Sequence, residues 1–252
     1  MCIYSQSLSL YNPLTSLISA KLSHYLVCFT GGSNPRPGEI SLAHHGILFL
    51  DELTEFDRHV LEVLREPLET GQISISRAAR QADFPAKFQL VTAMNPCPQG
   101  KDCDLRNNCF CTVEQQRRHR ARISAPLLDR IDIQVEVPKL PKEALRSDEP
   151  AGESSAAVRE RVVNARLRQL DRCGKTNAEM NNREIQQHCS LDDKTLTLLE
   201  TAMERFNLSA RAYHRILKVS RSIADLADSD SIEMPHLTEA LNYRAMDRWQ
   251  AR

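Results

Sequence analysis

The sequence predicts an α/β domain built on a parallel sheet, followed by an all-α domain. Three observations carry this. Gly46-Ile47-Leu48-Phe49-Leu50-Asp51-Glu52 is a short apolar run without a 3.6-residue period, the pattern of a strand buried on both faces in a parallel sheet. Residues 138–155 hold Pro138, Pro141, Pro150, Gly152, Ser154 and Ser155, the composition of a linker. Beyond them, apolar residues recur at helical spacing. A chain of 252 residues is long enough for one large domain or two modest ones.

Residues 1–30 contain one Lys and no Asp or Glu. They do not match the text that follows and lack the basic start of a signal peptide. They are expected to be a foreign or frame-shifted start on a domain that begins near Gly31. Gly31 to Gly38 is a loop by its Gly and Pro content. Glu39 to His45 suits a short helix before the strand. After Glu52, the residues Phe56, Val60, Leu61, Val63, Leu64 and Leu68 predict one amphipathic helix ending near Thr70-Gly71. Strands follow at Gln72–Ser76 and Lys87–Thr92. Residues 77–85 between them suit a hairpin with Arg77 and Arg80 at its tip. That tip is either a solvated turn or a contact to a phosphate backbone. Asn95, past the end of the second strand, stands where it could hydrogen-bond a phosphate or a water. Glu114 to Ile123 predicts a helix carrying Arg117, Arg118, Arg120 and Arg122, and Ile131–Val137 alternates as a strand stopped by Pro138. In the carboxy-terminal part, helices are expected over 156–170, from a Ser190 cap, from Ser209 and around Pro235. Arg211, Arg215, Lys218 and Arg221 put charge beside the apolar stripe of the Ser209 helix.

A buried strand ending in Asp-Glu has the form of a Walker B element. Asp51 would hold a hydrated Mg²⁺, and Glu52 would polarise a water attacking a γ-phosphate. The bland alternative is a strand whose end is merely acidic and solvated. No stretch supplies the phosphate loop such a site needs. Gly174-Lys175-Thr176 spells its ending, but Gln169 stands where the first glycine is required and a helix precedes it. Gly174 reads as a helix C-cap.

Lys+Arg and Asp+Glu both number 33, so any nucleic-acid surface must be local. No apolar run approaches the ~20 residues that span a bilayer. Four of the eight cysteines, Cys97, Cys103, Cys109 and Cys111, crowd one segment. Clustered thiols without a secretory signal suggest a reducing, cytoplasmic setting. Their C-x5-C-x5-C-x-C spacing is not the paired arrangement of a zinc ribbon. Reduced loop thiols and a small zinc knuckle both stay open.

The order of these pieces resembles the AAA+ ATPases, and within them the magnesium-chelatase-like proteins of the ComM/YifB type. The text that carries the likeness is Gly32 to His44, Gly46 to Glu52, Val60 to Glu69, Ile75 to Ala78, Met94 to Pro98, Pro126 to Asp132 and Arg221 to Leu226. The resemblance runs from about Gly31 to the carboxy terminus. It implies a partial AAA+ three-layer core over 31–138, a linker over 139–155 and a helical lid over 156–252. It implies ATP and Mg²⁺ as ligands, with Asp51 and Glu52 as the Walker B pair. Asn95 is similar to sensor 1, Arg130 to the arginine finger acting on a neighbouring subunit, and Arg211 to sensor 2. The Arg77/Arg80 hairpin resembles the one that lines the pore of ring helicases. At Gln99, relatives often carry another Cys, which counts against zinc unless Cys103 substitutes.

The family places a phosphate loop upstream of the Walker B strand. The chain is therefore expected to be the carboxy-terminal part of a longer ATPase, binding ATP weakly and hydrolysing it negligibly alone. The full-length protein is expected to form a homo-oligomeric, hexameric ring acting on DNA by helicase or branch-migration chemistry in recombination or transformation. The rivals are a chelatase- or chaperone-like remodeller and a degenerate interaction module without catalysis.

Overall fold

The computed structural model describes residues 2–4, 17–20, 37–77, 80–100, 109–137 and 152–244, with side chains at 2–4, 17–20 and 76–80 excepted. They divide into two units, Met1–Val135 and Glu136–Arg252.

The first unit runs β1 (Cys2–Tyr4), β2 (Leu17–Ala20), α1 (Glu39–Leu42), β3 (Ile47–Leu50), α2 (Arg58–Val63), α3 (Arg65–Thr70), β4 (Gln72–Arg77), β5 (Arg80–Pro85), β6 (Gln89–Ala93), α4 (Val113–Arg120), α5 (Ala125–Leu128) and β7 (Ile133–Val135). Its main sheet has the order β2-β3-β6-β1-β7. Strands β2, β3 and β6 are parallel, as the apolar run at 47–50 predicts. β1 joins antiparallel between β6 and β7. A segment expected to stand outside the domain thus contributes two strands to its sheet. Leu48 and Leu50 are fully buried, while Ile47 and Phe49 are half-buried, so one face of β3 is covered more completely than the other.

The single helix expected after Glu52 is two. α2 stops at Val63 and α3 resumes at Arg65. Pro67 has no N–H to give the Val63 carbonyl, so one continuous ladder cannot run through. Asp57 caps α2 by accepting from the His59 N–H at 2.7 Å. Gly71 ends α3 in the left-handed region at φ 71°, as expected of a glycine past a helix end. The hairpin is also larger than predicted: β4 and β5 form their own two-stranded sheet, with Arg77 and Arg80 paired across the turn. Thr112 opens α4 with a capping box, exchanging hydrogen bonds with Gln115.

The second unit is helical: α6 (Ser155–Cys173), α7 (Asn182–His188), α8 (Asp193–Phe206), α9 (Ala210–Leu226) and α10 (Met234–Asn242). Gly174 caps α6 with a positive φ of 66°; the Gly-Lys-Thr triplet is a helix end. The cap of α8 is Asp192, whose side chain accepts from the Thr195 N–H at 2.8 Å, not Ser190 as expected. Asp192 stands immediately before the first helical residue, where its oxygen reaches an otherwise unpaired N–H. Ser209 caps α9 as predicted, through the Ala212 N–H at 3.1 Å, and Pro235 sits in the first turn of α10. α9 is central, packing against α6, α7 and α10, and Leu199, Ile216, Ala224 and Leu237 are wholly or almost wholly buried there.

Arg221 departs most from expectation. It is buried, with Nε on Asp225 at 3.2 Å and Nη1 on the Asp230 carbonyl at 2.8 Å. Asp225 also accepts from Asn177 at 2.8 Å and from both Nη atoms of Arg172. Asp225 thus joins two arginines in the core of this unit. Burial pulls the Arg221 guanidinium below its ordinary value, while the hydrogen bond to Asp225 raises that of Arg172.

Candidate active site

β3 and β6 run side by side in the same direction, and the register Leu50↔Thr92 fixes their ends level. Asp51 leaves β3 opposite Ala93, the last residue of β6, and Asn95 follows two residues on. The consecutive carboxylates Asp51 and Glu52 and this amide therefore leave the sheet at the carboxyl ends of neighbouring strands, about 5 Å apart at the strand ends. That edge is where open α/β sheets take their ligands.

Asp51, Glu52 and Asn95 are all exposed. The Asp51 carboxylate accepts from the Glu52 N–H at 2.9 Å. Neither carboxylate joins an ion pair among the described residues. Glu52 has φ 52° and ψ 48°, a left-handed conformation uncommon for a residue with a Cβ. Its backbone then turns at once into a one-turn helix over Leu53–Glu55.

Asn95 is held from behind. The His119 ring lies with Nε2 3.0 Å from the Asn95 carbonyl. A carbonyl only accepts, so Nε2 carries the proton there. On the other side a Cβ at Gly100 would come within 2.4 Å of the Asn95 Cβ, so only glycine fits. Sequence reasoning missed both residues. A lone histidine in an arginine-rich helix carries no signal of its own.

This donor set suits a hydrated divalent cation and a positioned water: two free carboxylates beside an amide. It does not cradle a triphosphate, because the chain has no Gly-x-x-x-x-Gly-Lys-Ser/Thr stretch.

The other predicted residues lie elsewhere. β7 is antiparallel to β1, and β1 to β6, so β7 runs with β6. Arg130 precedes β7 and so stands toward the opposite edge of the sheet from Asp51. It is buried, with Nη1 donating to the Pro126 carbonyl at 2.7 Å and Nη2 bound to Glu69. Glu69 is a partner 61 residues away in sequence. Arg211 lies in the first turn of α9, in the second unit, with its side chain exposed. Arg77 and Arg80 close the β4–β5 hairpin, and their side chains lie outside the described residues. Cys97, Cys109 and Cys111 come together, their sulfurs all within 4.8 Å of one another. Cys103 lies outside the described residues.

The family described as "Magnesium chelatase, subunit ChlI" matches residues 19–145, and its carboxy-terminal counterpart matches 152–244. The chain belongs to this family. The first match begins upstream of Gly31, where the resemblance in the text had its start, and takes in part of β2. Among relatives of this magnesium-chelatase-like family, the chain is 53% identical to "Competence protein ComM" of Haemophilus influenzae, over 86% of this chain and 42% of that protein. It is 50% identical to the protein YifB of Escherichia coli, over 86% of this chain and 43% of that protein. A "Magnesium-chelatase subunit ChlI" of Mesostigma viride is 35% identical over 60 residues, 24% of this chain. The chain thus spans less than half the length of ComM and YifB. Among the described residues, no helix is long and apolar enough to cross a membrane.

Proposed function

We propose that this chain supplies the water-activating half of an ATP-hydrolysing, DNA-handling ring motor in the cytoplasm. The observation that carries the reading is the edge of the sheet where Asp51, Glu52 and Asn95 meet, exposed and unengaged by cations among the described residues. Asp51 holds Mg²⁺ through its waters, Glu52 takes the proton of the attacking water, and Asn95 orients that water. Arg130, at the other edge, favours service to a neighbouring subunit over service to its own site; Glu69 would have to release it. Arg211 on α9 is the lid's cation toward the developing γ-phosphate charge. DNA is the preferred track because a relative is named for competence and because paired arginines close the β4–β5 hairpin.

The missing phosphate cradle sets the test. Alone, the chain is expected to bind Mg²⁺-ATP weakly and turn it over negligibly. Co-assembled with a phosphate-loop segment from a relative, it should regain turnover, and E52Q should remove that gain by about 10²-fold or more. A verified complex that stays inactive, or one equally active with E52Q, refutes the reading. On the DNA side, R77A/R80A should weaken binding and flatten its dependence on salt. Unchanged affinity would favour a chelatase- or chaperone-like remodeller.

A further inference from the structure

The geometry points to a zinc site on Cys97, Cys109 and Cys111, which clamps the base of the segment between β6 and α4. The three sulfurs converge from both ends of that segment. Cys97 follows β6 directly, and Cys111 immediately precedes Thr112, the cap of α4. Cys97 is fully buried and Cys111 nearly so. The Cys97 and Cys109 sulfurs are 3.8 Å apart. Zn²⁺ binds thiolate sulfur at about 2.3 Å, so two ligands at a tetrahedral angle stand about 3.8 Å apart. The pair already sits at that edge length, and the Cys111 sulfur lies within 4.8 Å of both. A disulfide requires sulfurs about 2.05 Å apart, and would strand the third thiol.

What surrounds the sulfurs argues against three ordinary core thiols. A buried cysteine that only fills space behaves as a small hydrophobe. Here the Gln116 side-chain amide donates to the Cys109 sulfur at 3.2 Å and to the Cys111 carbonyl at 3.3 Å. The Arg120 guanidinium lies in the neighbourhood of Cys97 and Cys109. An amide donor on a sulfur and a cation nearby are what a thiolate cluster gathers in its outer shell. With Zn²⁺, three thiolates and Arg120, the formal charges sum to zero. Three soft thiolates select zinc over magnesium or calcium. The fourth tetrahedral position is left to water or a further donor.

The clamp lies two residues beyond Asn95, and α4 carries His119 to the Asn95 carbonyl. Zinc binding would therefore fix the strand end and the helix that backs it as one piece. This stands whether or not the chain serves an ATPase, since metal content and turnover are measured separately.

The test is elemental analysis of the whole chain purified from zinc-supplemented cells under reducing conditions, with cobalt reconstitution alongside. About one zinc per chain is expected. C97S, C109S and C111S should each lower zinc affinity by about tenfold or more, while C173S and C189S retain it. Cobalt should give the thiolate charge-transfer and tetrahedral ligand-field bands, a readout on the wild type that survives if the variants do not fold. Negligible zinc together with no cobalt–thiolate bands overturns the site. So does full zinc in all three variants, and so does a Cys97–Cys109 disulfide in protein isolated with zinc present.

Discussion

The two units treat charge in opposite ways. In the helical unit, the Asp225 side chain has no exposed surface, and the Arg221 side chain has 2% exposed. Arg172, Asn177 and the carbonyls of Ser229 and Asp230 complete the set. In the α/β unit, Asp51 and Glu52 stand in water at a strand end with no cation on them among the described residues. A buried, mutually satisfied ion cluster costs desolvation and repays it only through its partners, so its work is structural. An exposed carboxylate pair whose one hydrogen bond is local, from the Glu52 N–H to Asp51, gives the fold little and is left available for chemistry. The arginines do not divide by unit: Arg221 in the helical unit and Arg130 in the α/β unit are both buried against carboxylates of their own chain.

The strongest way to break the comparison is to remove the buried carboxylate. D225A would leave Arg172 and Arg221 facing each other without an anion. It should cost about 3–5 kcal/mol in urea or thermal unfolding of the second unit. Replacing all three charges by apolar residues of similar volume should recover most of that loss; a triple variant no better than D225A would mean the cluster does more than neutralise itself. A smaller effect is expected at the ion pair between Glu69 and the buried Arg130 in the α/β unit. Glu69 is 45% exposed and Arg130 8%, so E69A should cost about 1–3 kcal/mol, because water and the Pro126 carbonyl share the remaining charge. A loss as large as that of D225A would erase the distinction between the units.

The smallest effect concerns thiols. Burial in the helical core pushes Cys189 from 9.0 up to about 11, because the neutral thiol is favoured there. Its folded value lies above its unfolded one, so its contribution to stability is complete below about pH 9 and fades as pH rises through about 11. At pH 8 folded protein should leave Cys189 unalkylated by iodoacetamide while the half-buried Cys173 reacts; peptide mass spectrometry reads both. Rapid labelling of Cys189 would show a looser core than the structure has.

The parts of the fold that depend on local rules were legible in the sequence. The apolar run before Asp51, the Ser209 cap, Gly71 and Gly174 past helix ends and Pro235 in a first turn each act within a few residues. The hidden parts depend on partners far along the chain. The burial of Arg221 was hidden because its spacing beside the apolar stripe says nothing of Arg172 and Asn177, which arrive from α6 and from a one-turn helix over Asn177–Glu179. Arg130 binds Glu69 on α3, a partner that nothing in its own segment announces. The break at Leu64 was visible in Pro67 but outweighed by the apolar spacing around it. At the site, Asp51, Glu52 and Asn95 could be named from strand ends alone. His119 and Gly100, which hold Asn95 in place, could not, since their roles exist only once α4 and the segment after β6 fold back.

Glu52 sits in a left-handed turn that a side chain enters at a cost of roughly 1–2 kcal/mol. Glycine would enter freely, though its looser unfolded chain gives back about 0.5–1 kcal/mol. E52G should therefore be at least as stable as the parent, by up to about 1 kcal/mol in thermal unfolding, while losing the carboxylate altogether; a clear drop in stability would mean that Glu52 is held by contacts worth more than its strain. Anyone improving this protein by selecting for heat resistance alone would be led to discard the residue best placed to activate water.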